Sequence, residues 1–263
     1  MKIFWSFARQ VFHTTAIYRF NFWIRAATVL LLMSSMYWVW TTLYIQRPGA
    51  FGVTLEQMVT YGVLAMAFSV IFYTGPQYYM ALQVRTGAID TDLLKPLDFH
   101  LHMLARSVGE MLFRLGVLSL PSLVIGYFLY DLELPPDAAT GALFAISLLL
   151  GYLVNFHLEF LLGSLSVLTL DIHSLSWGYM SLSAFFAGQV VPLWLFPGFI
   201  GAVAELLPFK SIFYLPMSIY IGKLSGAAVV EAVRFQLIWL ATLVLVSRWA
   251  WNRVHTRLVS QGG

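Results

Sequence analysis

From residue 55 to residue 82 the chain runs for 28 residues with one charged side chain, Glu56. A helix rises ~1.5 Å per residue, so this run exceeds the ~30 Å hydrocarbon core of a bilayer. Comparable apolar runs recur at 22–44, 104–130, 138–170, 174–195 and 229–251. Backbone polar groups find no water in hydrocarbon and must be bonded within the segment, which leaves helices for runs of this kind. The expectation is an all-α polytopic membrane protein with six transmembrane helices. It forms one membrane domain over 1–263. The composition agrees: 10% of the residues are charged, against about 25% in a soluble domain. The net charge of +3 is spread over span ends and does not point to nucleic acid.

Residues 1–20 mix aromatic and basic side chains. On a helix, Ile3, Phe4, Phe7 and Val11 gather on one side, while Lys2, Arg9 and His13 fall elsewhere. That pattern fits an interfacial helix with Arg9 and Arg19 near lipid phosphates. Trp23, Trp38 and Trp40 sit toward the ends of the first run, where aromatic anchors belong. Gly75-Pro76 interrupts the second run and predicts a kink, because proline removes a backbone donor. Arg106, Glu110 and Arg114 recur every four residues and predict a plus-minus-plus ladder on one helix face. Between residues 188 and 222, Pro192, Pro197, Pro208 and Pro216 cut the apolar sequence into pieces too short to cross a bilayer. Short re-entrant helices before the last span fit that segment.

The basic residues orient the chain. With the N-terminus inside and six spans, Lys2, Arg9, Arg19, Arg25, Arg85, Lys95, Arg106, Arg114, Arg248, Arg253 and Arg257 fall on the cytoplasmic side. Arg47, Lys210, Lys223 and Arg234 fall on the other. Eleven against four places both termini in the cytoplasm. The loop 131–137, acidic and proline-rich without Lys or Arg, is then external. The same count puts the most polar stretch of the chain, 83–98 (QVRTGAIDTDLLKPLD), on the cytoplasmic side. From Ile89 a short helix there carries Leu93, Leu94, Leu97 and Phe99 as an apolar contact surface. Asp90, Asp92, Lys95 and Asp98 add charge that orients docking. Asp90 or Thr91 is a candidate cap, Gly87 permits a turn before it, and Pro96 limits the helix to about two turns.

Catalytic chemistry is not written into the chain. It lacks H-E-x-x-H, G-x-S-x-G and the phosphate-binding G-x-x-x-x-G-K-[ST] motif. With no cysteine there is no thiolate metal site. Work done by such a chain draws its energy from a partner or an ion gradient. Inside the fourth run lie Asn155, His157 and Glu159, and intramembrane ionisable groups mark pathways or buried pairs. Asn155 and Glu159, four apart, share a helix face and form the expected hydrogen-bonded pair. The fifth run carries small residues, Ser174, Gly178, Ser181, Ala184 and Gly188, of the kind that let helices approach closely. Two rivals stay open on residues alone. One is an ion-coupled carrier, and the other is an intramembrane enzyme using Glu159, His157, Asp171 or His173 with a serine such as Ser174 or Ser176.

Three stretches together carry a family resemblance: R-T-G-A-I-D-T-D-L-L-K-P-L-D from Arg85, G-Q-V-V-P-L-W-L-F-P from Gly188, and the L-P-F…Y-L-P segment from Leu207 to Pro216. The chain resembles the membrane subunit of type-2 ABC exporters, in particular the small six-span bacterial permeases. The resemblance implies an ATP-driven exporter of the inner membrane with an amphipathic, lipid-like or drug-like substrate. ATP and Mg would be bound and hydrolysed in a separate ATP-binding subunit, with no cofactor held by this chain. It implies a coupling helix within 83–103 that docks that subunit, with Arg85, Ile89, Asp90, Asp92, Leu93, Leu94 and Lys95 at the contact. It implies a second permease, identical or related, and an external re-entrant segment at 188–222. The substrate path would run between the two permeases along spans two and five, with Asn155, Glu159, Gly178 and Ser181 as its candidate residues. Membrane lipid would contact the remaining surface.

Overall fold

A computed structural model describes residues 2–15, 19–72, 75–166, 168–169 and 172–257. Asp171, proposed above in a catalytic arrangement, lies outside the described residues, as does the side chain of Arg19. The fold is all-α, with helices α1 (Lys2–Thr15), α2 (Arg19–Gln46), α3 (Leu55–Phe72), α4 (Pro76–Thr86), α5 (Ile89–Leu93), α6 (Phe99–Arg114), α7 (Leu120–Tyr130), α8 (Ala138–Leu165), α9 (Ile172–Phe186), α10 (Gly198–Leu206), α11 (Tyr214–Tyr220) and α12 (Ala227–Val254). Among the described residues, five stretches are long and apolar enough to cross a membrane: Trp23–Gln46, Leu55–Thr86, Phe99–Tyr130, Ala138–Leu165 and Ala227–Val254. The chain is a multi-pass membrane protein.

The second of these, α3 with α4, is the central one, and its apolar residues are nearly all buried while those of the others largely face outward. It is interrupted before Pro76, with Gly75 in the left-handed region as the N-cap of α4. The third, α6 with α7, contains a single π-helical stretch, Leu115–Ser119. Pro121 lies two residues past its end. Its ring would crowd the carbonyl of Val117, four residues back, and the wider π turn relieves that clash.

The segment expected to be a crossing at 174–195 is shorter as a helix. α9 has 15 residues, about 22 Å by helical rise, and ends before Gly188. Its two ends nevertheless lie at different levels of the central span. The His173 ring packs on Tyr78 in α4, whereas the Gly188 carbonyl accepts from Tyr61 Oη in α3 at 2.7 Å. The following segment folds as a hairpin, α10 and the piece Pro208–Tyr220 being bent by 70°. It begins and ends at the same end of the bundle. Trp194 Nε1 donates to the Phe51 carbonyl, and Lys223 Nζ donates to the Gly52 carbonyl.

The turn of this hairpin reaches the middle of the bundle. Gly151 of α8 lies against the Ser211 backbone so closely that an added Cβ would come within 3.3 Å of Ile212 Cα. Gln236 of α12, fully buried, ties three elements together there. Its Nε2 donates to the carbonyls of Ser147 in α8 (2.9 Å) and Ser211 (3.0 Å). Its Oε1 accepts from Ser147 Oγ. A buried polar side chain in hydrocarbon is stable only when its bonds are made inside the protein.

Candidate functional site

The polar stretch 83–98 is a compact knob at the end of the bundle opposite the hairpin ends. α4 continues through Thr86. Gly87 then takes φ +71, a left-handed conformation that glycine alone adopts without a steric cost, and its N–H bonds the Val84 carbonyl. This reverses the chain into α5. The cap of α5 differs from the expectation. Ala88 is the N-cap, without a side-chain bond, and Thr91 Oγ1 donates back to the Ala88 carbonyl. The helix stops at Leu93, three residues before Pro96, and Asp98 then caps α6 by accepting from the Leu101 N–H.

Asp92 is the core of the knob. It is 1% exposed and accepts from Tyr79 Oη at 2.9 Å and from Gln83 Nε2 at 3.0 Å, both on α4. Lys95 Nζ pairs with its other oxygen at 2.6 Å. Burial pushes this carboxyl up, but bonds from Lys95, Gln83 and Tyr79 outweigh it and hold Asp92 below the usual carboxylate range. Two residues expected at the docking contact therefore turn inward. Asp92 fastens α5 to α4, and Ile89, 3% exposed, packs with Met80, Phe99 and Met103. Phe99 likewise belongs to this packing and stacks on Trp251 at 4.2 Å. The outward set is Arg85, Asp90, Thr91, Leu93 and Leu94. Leu94, 85% exposed, is the most exposed large apolar side chain in the described chain.

The N-terminal helix braces the same region. Phe4, Phe7, Ala8 and Val11 turn toward the protein, whereas Ile3 and Trp5 are exposed. α1 lies against α6, and Ala8 meets Gly109 at a distance that leaves no space for a side chain. Phe7 packs edge-on against His102 at 4.9 Å and lies 5.4 Å from Lys95 Nζ. On α6 the expected charge ladder forms. Glu110 pairs with Arg106 at 3.4 Å and with Arg114 at 3.1 Å.

A second polar group lies where the central span is broken. The last carbonyls of a helix have no partner within it. Here Arg114 Nη1 donates to the Val70 carbonyl at 3.1 Å, and Asn155 Nδ2 donates to the Phe72 carbonyl at 2.7 Å. Asn155 Oδ1 accepts from Tyr179 Oη of α9 at 2.6 Å. Asn155 thus bonds both the central span and α9, and its amide also acts on Glu159, the partner expected from their spacing. Glu159 is fully buried, with the Asn155 side chain and the Gly75 backbone as its hydrogen-bonding neighbours. The Asn155 amide, the Arg114 guanidinium and the Gly75 backbone are among the groups that act on it electrostatically.

His157 faces elsewhere, toward His100 of α6 (3.2 Å) and Ser247 of α12 (3.1 Å). His157 and Glu159 therefore do not serve one site. The four residues expected along a path also divide. Asn155 and Glu159 are interior, while Gly178 and Ser181 lie on the outer face of α9 with Trp177 and Phe185. A Cβ added at Gly178 would meet nothing within 4 Å.

The described residues thus form a polytopic helical membrane protein with a braced polar knob at one end and a proline-divided hairpin entering from the other. Residues 30–262 match the family model described as ABC-2 family transporter protein, and the chain belongs to that family. It is a permease component of an ABC transporter and not itself an enzyme. No curated protein and no solved structure matches the chain.

Proposed function

We propose that this chain is the membrane half of an ATP-driven exporter of a bacterial inner membrane, with both termini and the knob 83–98 in the cytoplasm. A separate ATP-binding subunit docks on α5 and supplies ATP and Mg chemistry. The observation that carries this reading is the outward face of α5. An 85% exposed leucine, Leu94 at the C-cap of α5, is exposed together with Leu93 and Asp90 of α5 and Arg85 of α4, and Asp92 fixes the fold of α5 independently. An exposed apolar anchor within a charged rim is the usual form of a protein contact.

A second permease, the same chain or a related one, packs against the outer face of α9. There Trp177, Gly178, Ser181 and Phe185 present aromatic and small side chains outward, and a Cβ added at Gly178 would meet nothing within 4 Å. The substrate is amphipathic, as suits an aromatic path between two membrane subunits. It moves outward when docking rocks α4 about the break before Pro76. The hairpin between α9 and α12 stands on the external side of that path. Co-expression with an ATP-binding subunit from the same gene neighbourhood tests the reading. The pair should co-purify in mild detergent, and Leu94→Glu should release the subunit while the permease remains folded. Retention of the subunit by Leu94→Glu together with Asp90→Lys would contradict the assignment.

A further inference from the structure

Beside the knob, α1, α4 and α6 enclose a cavity of ≈ 460 Å³. At ~30 Å³ per water it has room for about fifteen waters. Its wall includes Gln10 and Thr14 of α1, Lys95, and His102 and Arg106 of α6. Two cations thus meet in a recess built partly by α1. Lys95 pairs with Asp92 at 2.6 Å, whereas Arg106 is the less tightly paired of the two. Glu110 is shared, closer to Arg114 at 3.1 Å than to Arg106 at 3.4 Å. Arg106 stacks its guanidinium on the Tyr79 ring at 3.9 Å, which fixes the plane of a fork with five donors. That fork has one long ion pair. Lys95 also approaches His102 Nε2 at 3.3 Å, and His102 Nδ1 is buried with no partner among the described residues. A planar guanidinium and an ammonium converging on a recess match a phosphate oxygen cluster.

We infer that this cavity binds a phosphate group, either the headgroup of an anionic phospholipid from the adjoining leaflet or free phosphate. Lys95 is shared with the Asp92 brace, so the bound phosphate and the α5 knob hold the same side chain. The lipid form of the inference rests on the proposed placement of α1 at the membrane surface.

The test uses the full chain in detergent, with phosphatidylglycerol, phosphatidylcholine or inorganic phosphate as probes and native mass spectrometry for bound lipid. Each cation near a membrane surface contributes about 1 kcal/mol to anion binding, about fivefold. Arg106→Gln should therefore weaken phosphatidylglycerol retention at least about fivefold and leave phosphatidylcholine unaffected. Thr14→Trp, which fills the recess without touching a cation, should do the same and guards against a folding artefact. If inorganic phosphate instead stabilises the wild type in an Arg106-dependent way, with no preference between the lipids, the ligand is free phosphate. Equal retention of every probe by wild type and both variants overturns the inference. A fluorophore on a cysteine at Ser6, an exposed position, scores the membrane placement separately. Quenching by spin-labelled lipid alongside a failed binding test leaves that placement standing.

Discussion

Replacing Asp92 with asparagine keeps the shape of the side chain and removes its charge, which isolates what the brace contributes. Hydrogen bonds to a charged group contribute about 1.5–3 kcal/mol each and are roughly twice as strong as neutral ones. Asp92 accepts two such bonds, from Tyr79 and Gln83. The Lys95 pair adds less than about 1 kcal/mol, because the lysine side chain is 31% exposed and can return to water. Asparagine retains one acceptor, so the expected loss is about 2–3 kcal/mol, about 30- to 150-fold in the local opening equilibrium. Amide exchange across 88–95 measures this directly. Asp90→Asn is the control. Its carboxylate is exposed and makes no side-chain bond among the described residues, so its effect should stay within about 0.5 kcal/mol. The acid response follows from the same contact. Because the folded carboxyl titrates below its ordinary value, its contribution is complete above the unfolded pKa of ~3.9 and is lost as pH falls through the folded one. Wild-type exchange should accelerate in that acid window, and Asp92→Asn should lack the step. Matching exchange in Asp92→Asn and Asp90→Asn would refute the brace.

Other consequences are local and separable. Gly109→Val should dislodge α1, because a Cβ there would come within 3.1 Å of Ala8 Cα and clash with its carbonyl oxygen. The chain contains no cysteine, so a cysteine at position 8, 2% exposed as alanine, should resist maleimide alone and react when Gly109→Val is added. Gln236→Leu should loosen the turn of the hairpin by about 1–2 kcal/mol, the scale of side-chain hydrogen bonds between membrane helices. The checks are a lower melting temperature and faster exchange at 208–213. Unchanged values would show that Gly151 packing alone holds the turn.

Much of this architecture is legible in the residues. Five of the six long apolar runs, the break before Pro76 and the four-residue recurrence of Arg106, Glu110 and Arg114 each produce the element they predict. The direction of individual side chains is less accessible. Asp90 and Asp92 are two apart on a helix and point to opposite sides, so only one can face a partner. Which one turns inward depends on Tyr79 and Gln83, 13 and 9 residues earlier on a different helix. Asn155 likewise satisfies the helical spacing for Glu159, yet its bonds to Phe72 and Tyr179 join α8 to two other helices. The broken end of α3 offers an orphan carbonyl that spacing along α8 does not register. α9 ends earlier than its apolar run because Ala187 and Gly188 leave the helix to bond Tyr214 and Tyr61. The small residues Gly178 and Ser181 face outward for the same reason that Tyr179 faces in: their positions on one helix face follow from where Asn155 anchors it.

The most direct test of the central claim is a photo-crosslinker at Leu94 in membranes that also contain the ATP-binding subunit. The account predicts a Leu94 adduct with that subunit, lost when Asp90→Lys is introduced, and no adduct from a crosslinker in the loop 131–137. A subunit adduct from 131–137, with Leu94 yielding none, would place the docking face at the wrong end of the bundle.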